Sequence, residues 1–181
     1  MNQNMKDEIM DSIRNFALPR YEEIPNVGLY LEQTSKYISE YLACLGDFAL
    51  TGSMISNYVK KGLISNPVKK QYNREQIAYL IFIAVAKTVL SMEDIRLLFV
   101  YGLQNKAYTP QRAYDYFCEE LHNVLAHVFG VKEQLDTIGE TNTDEKQLLR
   151  TTIIAVAHKV YLNKSFAQLQ AQEAAGKAEA D

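Results

Sequence analysis

Residues 51–77 read TGSMISNYVKKGLISNPVKKQYNREQI, and the fold turns on this stretch. It divides into a helix that ends at Gly62, a short hairpin over residues 63–72 and a new helix capped by Asn73. Glycine readily takes the left-handed conformation that closes a helix, Asn66-Pro67 is a turn signal, and Pro67 forbids one continuous helix through the segment. Five cations lie in it, Lys60, Lys61, Lys69, Lys70 and Arg74, and no Asp or Glu occurs from Phe48 to Arg74. The whole chain nevertheless has a net charge of −3. An acidic protein that keeps one segment free of anions presents that segment to something negative.

The helix from about Ser53 to Lys61 has two sides. Ile55 and Val59 are four apart and pack inward, whereas Ser53, Ser56, Asn57 and Lys60 fall on another face and are all hydrogen-bonding groups. Nothing bulky or anionic on that face keeps it out of a DNA major groove, although an ordinary solvated helix face is also polar. The hairpin LISNPVKKQY, with Val68 to Tyr72 as a short strand, weighs against the plain solvated face. Its Lys69 and Lys70 extend the cationic surface of the helix, and a cationic hairpin of this kind grips phosphate rather than reading bases. Asn73, with Gln76 three residues on, forms a capping box for the next helix. That helix, to about Leu90, is apolar almost all round and is the expected buried spine.

Working outward, Lys6 to Phe16 puts Ile9, Ile13 and Phe16 on one helical face, and LPRYEEIPNVG reads as a surface loop. Leu29 to Leu45 repeats Leu31, Ile38, Leu42 and Leu45 at helical spacing before Gly46, as the first helix of a helix-turn-helix pair. Ser91 and Asp94 open another helix that Gly102 closes, and Thr109-Pro110 starts one whose apolar stripe runs from Tyr114 to Val128, ending at Gly130. A last helix spans about Thr143 to Leu169, and the Ala-, Gln- and Glu-rich end is expected to fray or lie on a partner. The division that follows is an N-terminal helix and loop (1–28), a winged-helix domain (29–102), a helical C-terminal region (103–170) and a tail (171–181).

The run NYVKKGLI, then Tyr72, then SMEDI at Ser91 to Ile95, resembles the MerR-type winged-helix regulators. Tyr58 matches a tyrosine of that family's recognition helix, Gly62-Leu63-Ile64 its helix-to-wing turn, and Tyr72 the tyrosine at the end of its wing. Ser56 stands where those regulators usually carry Arg and Asn57 where they usually carry Tyr, and their wing is longer. Through IPNVGLYLEQ, MISNYVKKGLI and YNREQIAYLIFI the chain also resembles the YkrK-like group of low-GC Gram-positive bacteria. That resemblance implies a MerR-like DNA-binding module.

Composition is that of a globular chain, 48% hydrophobic and 23% charged over 181 residues. The acids in MNQNMKDEIMDSIRNF do not suit a signal peptide, and the longest apolar run, Ile77 to Leu90, is too short and polar to span a bilayer. Two cysteines, Cys44 and Cys118, give no disulfide framework, so a cytoplasmic setting and no membrane are expected. Cys118 and His122 are four apart, with His127 turned off that face and His158 on another helix, so no metal set forms. Nucleophile turns, phosphate loops and dinucleotide fingerprints are missing, and the acid pairs Glu119-Glu120 and Asp144-Glu145 read as helix-surface or helix-start groups. Catalysis and cofactors therefore have no support. Tyr101, Tyr108, Tyr114, Tyr116 and Phe117 could wall an effector pocket, but aromatics at helical spacing more often fill a core.

The sequence thus reads as a mostly α fold with a winged helix-turn-helix and a small hairpin wing. The expected function is a non-enzymatic regulator binding double-stranded DNA, with Ser53, Ser56, Asn57 and Lys60 in the groove and Lys61, Lys69, Lys70 and Arg74 on phosphates. A homodimer through the C-terminal helices and a small-molecule effector are the further expected partners. The alternative is a protein-interaction module whose basic face docks an acidic partner.

Overall fold

The structure, a computed structural model, describes residues 3–104, 109–139 and 143–178. Of the described residues 68% are helical, in seven helices, with one two-stranded antiparallel sheet. In order these are α1 (Gln3–Asp11), β1 (Leu29–Tyr30), α2 (Leu31–Leu42), α3 (Gly52–Lys60), β2 (Gln71–Tyr72), α4 (Arg74–Ala86), α5 (Met92–Gln104), α6 (Pro110–Val128) and α7 (Asp144–Ala178). No helix of the described residues is long and apolar enough to cross a membrane.

The spine expected after Asn73 is α4. Its apolar residues recur without a polar face, and Ile77, Leu80, Ile81 and Ile83 are all fully buried. It packs against α2 on one side and α6 and α7 on others. The α6 stripe of Phe117, Leu121, Val124 and Leu125 meets Ile153, Val156 and Val160 of α7, so one apolar core runs from α1 to α7. Truncating any of the fully buried isoleucines of α4 to Ala would cost about 2–5 kcal/mol.

The capping signals behave as read. Asn73 and Gln76 exchange backbone-to-side-chain bonds of 2.9 Å each, Ser91 and Asp94 do the same at the start of α5, and Thr109 accepts from the Arg112 amide ahead of Pro110. Ile9, Ile13 and Phe16 are all buried, but α1 ends at Asp11 rather than running to Phe16, so Ile13 reaches the core from a turn and Phe16 from the chain beyond it.

Several boundaries differ from the sequence reading. Residues 29 and 30 are not helical: they form β1, with Leu29 opposite Tyr72 and Tyr30 opposite Gln71. Gly28 allows this approach, because a Cβ there would lie 2.7 Å from the Gln71 Cβ. The helix then ends at Leu42, followed by a turn of 3-10 helix over Ala43–Leu45. Gly102 lies within α5 rather than ending it, since glycine lowers helix propensity without forbidding helix. At the other end α7 continues to Ala178, through strong helix formers and a Glu173–Lys177 pair at 2.6 Å.

The loop over 18–28 is anchored rather than loose. Leu18 and Ile24 are buried, and one face of α6 holds the chain between them. The Tyr21 amide donates to Asp115 at 2.9 Å, Arg20 pairs with Glu119 at 2.8 Å, and Cys118 Sγ lies 3.8 Å from the Pro19 carbonyl. His122 Nδ1 is 3.1 Å from the Phe16 carbonyl, so Cys118 and His122 both serve this clamp. Glu119 is the surface acid expected, but Glu120 is not: it is fully buried, with its Oε1 3.1 Å from Arg150 Nε. At about 100° per residue, the step from Glu119 carries Glu120 to the side facing α7, where Arg150 meets it.

Candidate nucleic-acid interface

Helix α3 is defined at both ends by side-chain and backbone chemistry. Thr51 Oγ1 accepts from the Met54 amide at 3.3 Å and also lies 2.9 Å from Ser53 Oγ. At the other end Gly62, at φ +72°, lets its own amide reach the Val59 carbonyl (2.9 Å) and the Leu63 amide reach the Tyr58 carbonyl (3.0 Å). This paired closure is the Schellman arrangement, and it redirects the chain sharply into residues 63–72. Gly52 meets the Leu31 side chain of α2, where an added Cβ would lie at 3.1 Å, so the starts of the two helices are tightly apposed.

The inward face of α3 is Ile55, fully buried, with Tyr58 also buried and Val59 half-buried against the core. The tyrosine that matches the MerR recognition helix is therefore a core residue, and burial raises the pKa of its hydroxyl. Ser53, Ser56, Asn57 and Lys60 are all exposed. Among the described residues, Ser56, Asn57, Lys60, Lys61, Lys69 and Lys70 make no side-chain hydrogen bond or ion pair within the chain.

The hairpin closes through Val68 and Gln71, which exchange backbone bonds of 3.1 and 2.9 Å around the two-residue loop Lys69-Lys70. Both lysines have positive φ, +51° and +65°. That is the loop geometry that Asn-Gly fills most easily, because a side chain with a Cβ is disfavoured there by about 1–2 kcal/mol per residue. Gln71 pairs outward with Val68 and inward with Tyr30, so β1 is the third strand-like segment of the hairpin unit. Gln76 ties the unit to α4: its Nε2 donates to the Ser65 carbonyl at 2.8 Å and lies 3.1 Å from Ser65 Oγ.

Arg74 is the departure among the expected site residues. Its guanidinium pairs with Glu22, donates from Nε to the Ile24 carbonyl at 2.8 Å, and sits 5.6 Å from the centre of the Tyr21 ring. The side chain is only 18% exposed, so this cation is committed to holding the 21–24 segment rather than offered to phosphate. The sequence could not reveal this, since Glu22 is 52 residues away.

Residues 19–117 match the family described as Domain of unknown function (DUF1836). The chain belongs to the DUF1836 family. No curated protein and no solved structure matches it. The DUF1836 segment begins at the clamped stretch after Leu18, contains α2 to α5 whole, and ends two turns into α6, past Asp115 and just before Cys118 and Glu119. All eight residues expected at the site lie inside it, whereas α7 lies outside.

Three residues of the DUF1836 segment join this surface without having been singled out from sequence. Tyr30 and Val68 flank Gln71 on the hairpin unit and are 52% and 72% exposed. Tyr30 was concealed by its apparent place in a helix, and Val68 by its place in a strand. Glu32 is the third: its Oε1 would lie 3.4 Å from a Cβ at Gly52, putting a carboxylate at the start of α3. An anion there favours the helix end, and it bounds the cationic surface at that corner.

Proposed function

We propose that the chain is a DNA-binding transcriptional regulator that uses a MerR-like winged helix-turn-helix and acts as a homodimer. In this reading α2 and α3 are the helix pair, α3 enters the major groove, and the hairpin of residues 63–72 with β1 is the wing. The observation that carries it is the set of six exposed side chains from Ser56 to Lys70 with no partner inside an acidic chain. Four of them are lysines, and the two at the hairpin tip occupy a strained loop that a smaller residue would fill more easily.

The groove contacts are Ser53, Ser56, Asn57 and Lys60, and the phosphate contacts are Lys61, Lys69 and Lys70. Arg74 drops out of the phosphate set because of its internal bonds. The α2–α3 connection, residues 43–51, is longer than the three to four residues or so common in the motif, and a bond from Ser35 Oγ to the Leu50 carbonyl braces it.

Exposed Val68 and Tyr30 favour a second reading, a protein-interaction module in which the basic face docks an acidic partner with apolar residues. Selection of bound fragments from a genomic DNA pool separates the two. The regulator enriches one sequence, and Asn57→Ala then costs about 1–3 kcal/mol on that sequence alone, because Asn pairs with an adenine edge by donating and accepting at once. Enrichment of no sequence would leave the protein-docking reading as the better one.

A further inference from the structure

Beside the spine lies a cavity of about 130 Å³ enclosed by α4, α5, α6 and the first turns of α7 and open on one side. Its walls are rings: Phe82 meets Phe99 and Phe117 at centroid distances of 5.3 and 5.2 Å, and Phe99 also meets Tyr79 at 5.3 Å. The three contacts are tilted or edge-on, the arrangement aromatic groups prefer, so the rings brace one another around the space instead of closing it. Small residues keep it open. A Cβ added at Gly102 would meet no atom within 4 Å, and Ala78 and Ala113 complete the gap on α4 and α6.

Polar groups on the wall are few: the buried Tyr114 hydroxyl has no hydrogen-bond partner among the described residues, and Glu145 and Lys146 line it from α7. The Lys146 ammonium stands 4.9 Å from the centre of the Tyr116 ring. What the cavity offers is mainly apolar surface and ring edges. Water gains little in such a space, whereas an apolar cavity of about 150 Å³ is known to hold benzene.

We propose that this cavity is a binding site for a neutral, flat, hydrophobic small molecule on the scale of toluene or indole. The volume suits a ligand of this size, and the almost wholly apolar wall, with Glu145 next to Lys146, disfavours a carboxylate. The site stands independently of the nucleic-acid reading, because none of the residues proposed to contact DNA lies on its wall. It also gives the aromatic cluster of α6 a task, with Tyr114, Tyr116 and Phe117 all on its wall. Tyr101 is exposed on α5, and Tyr108 lies outside the described residues.

Toluene and indole titrated into the full chain test it, with benzoate as the charged control. The chain has no Trp, so indole fluorescence excited beyond tyrosine absorption reports the probe alone. The expected results are a saturable shift of indole emission, a melting temperature that rises with toluene, and affinity for benzoate weaker by about tenfold or more. Gly102→Leu and Ala113→Leu, which fill the space from two sides, should each lower indole affinity by about tenfold or more while cooperative melting is retained. No saturable signal with either probe would overturn the proposal. So would unchanged indole binding in both filled variants, or equal binding of benzoate. Loss of indole binding as protein concentration rises would also overturn it, since a second copy would then occupy the cavity.

Discussion

If the proposed DNA contact holds, Lys69 and Lys70 set stability against binding at a single turn. Positive φ at both loop positions is a conformation that Asn-Gly takes with little strain and Lys-Lys does not. If the lysines are retained for charge, replacing them by Asn-Gly should stabilise the fold and weaken binding to DNA together. The double variant Lys69→Asn/Lys70→Gly is expected to gain about 1–2 kcal/mol in chemical unfolding. Its affinity for duplex DNA should fall at the same time, and a loss of stability would show that the loop is unstrained. At this scale the sequence was a fair guide to which side chains are exposed, because seven of the eight expected contacts project from a helix face or a turn with no anion near them in the chain. Arg74 and Tyr58 were less legible. Whether a cation faces water or an internal carbonyl depends on partners such as Glu22 and Ile24 that lie far off in sequence.

Among the elements, local chemistry wrote the helix starts plainly and long-range pairing wrote the rest. The Asn73–Gln76 and Ser91–Asp94 boxes need only a three-residue spacing, so they were readable. β1 was not: two residues with helical neighbours become a strand because Gln71 and Tyr72 supply the ladder. Glu120 was equally hidden, since a glutamate on a helix usually faces water. Its burial raises the carboxyl above the usual range, while Arg150 opposes that shift. The pair locks α7 onto α6, and Arg150 also donates to the Asp136 carbonyl at 2.9 Å.

Arg150→Met should therefore cost about 3–5 kcal/mol near pH 7, where it strands a buried carboxylate. The sign of the pH effect follows from the raised pKa. The folded state holds the Glu120 proton more tightly than the unfolded chain, so the penalty is full above the folded pKa and fades as pH falls through it towards about 4.3, the value of an unfolded Glu. Denaturant unfolding of Arg150→Met at several pH values checks this. A deficit that does not shrink on acidification would mean that Arg150 acts mainly through Asp136.

For the molecule as a whole, α7 raises the question of assembly. Its 35 residues span about 52 Å, and the last buried side chain along it is Ser165. Leu162, Phe166 and Leu169 lie at four- and three-residue intervals on one exposed face, with exposures of 50%, 56% and 40%. Leu97, Val100 and Tyr101 make a second exposed apolar set on α5. These sets support the proposed homodimer, which should sediment with the mass of two chains at micromolar concentration. Phe166→Glu should shift it to one chain without unfolding it, because the side chain has little to lose in the monomer core. A single-chain mass for the unaltered protein would count against the dimer.

The central claim is that the basic helix and hairpin are a DNA-binding surface, and the salt dependence of binding tests it most directly. Affinity for a selected duplex would be measured over a series of salt concentrations for the unaltered chain and for Lys69→Ala/Lys70→Ala. Each phosphate contact contributes about 0.9 to the slope of log affinity against log salt, so the variant should lose nearly 2 per chain and bind all duplexes more weakly. An unchanged slope, with the variant folded, would mean that the hairpin does not touch DNA and would contradict the account.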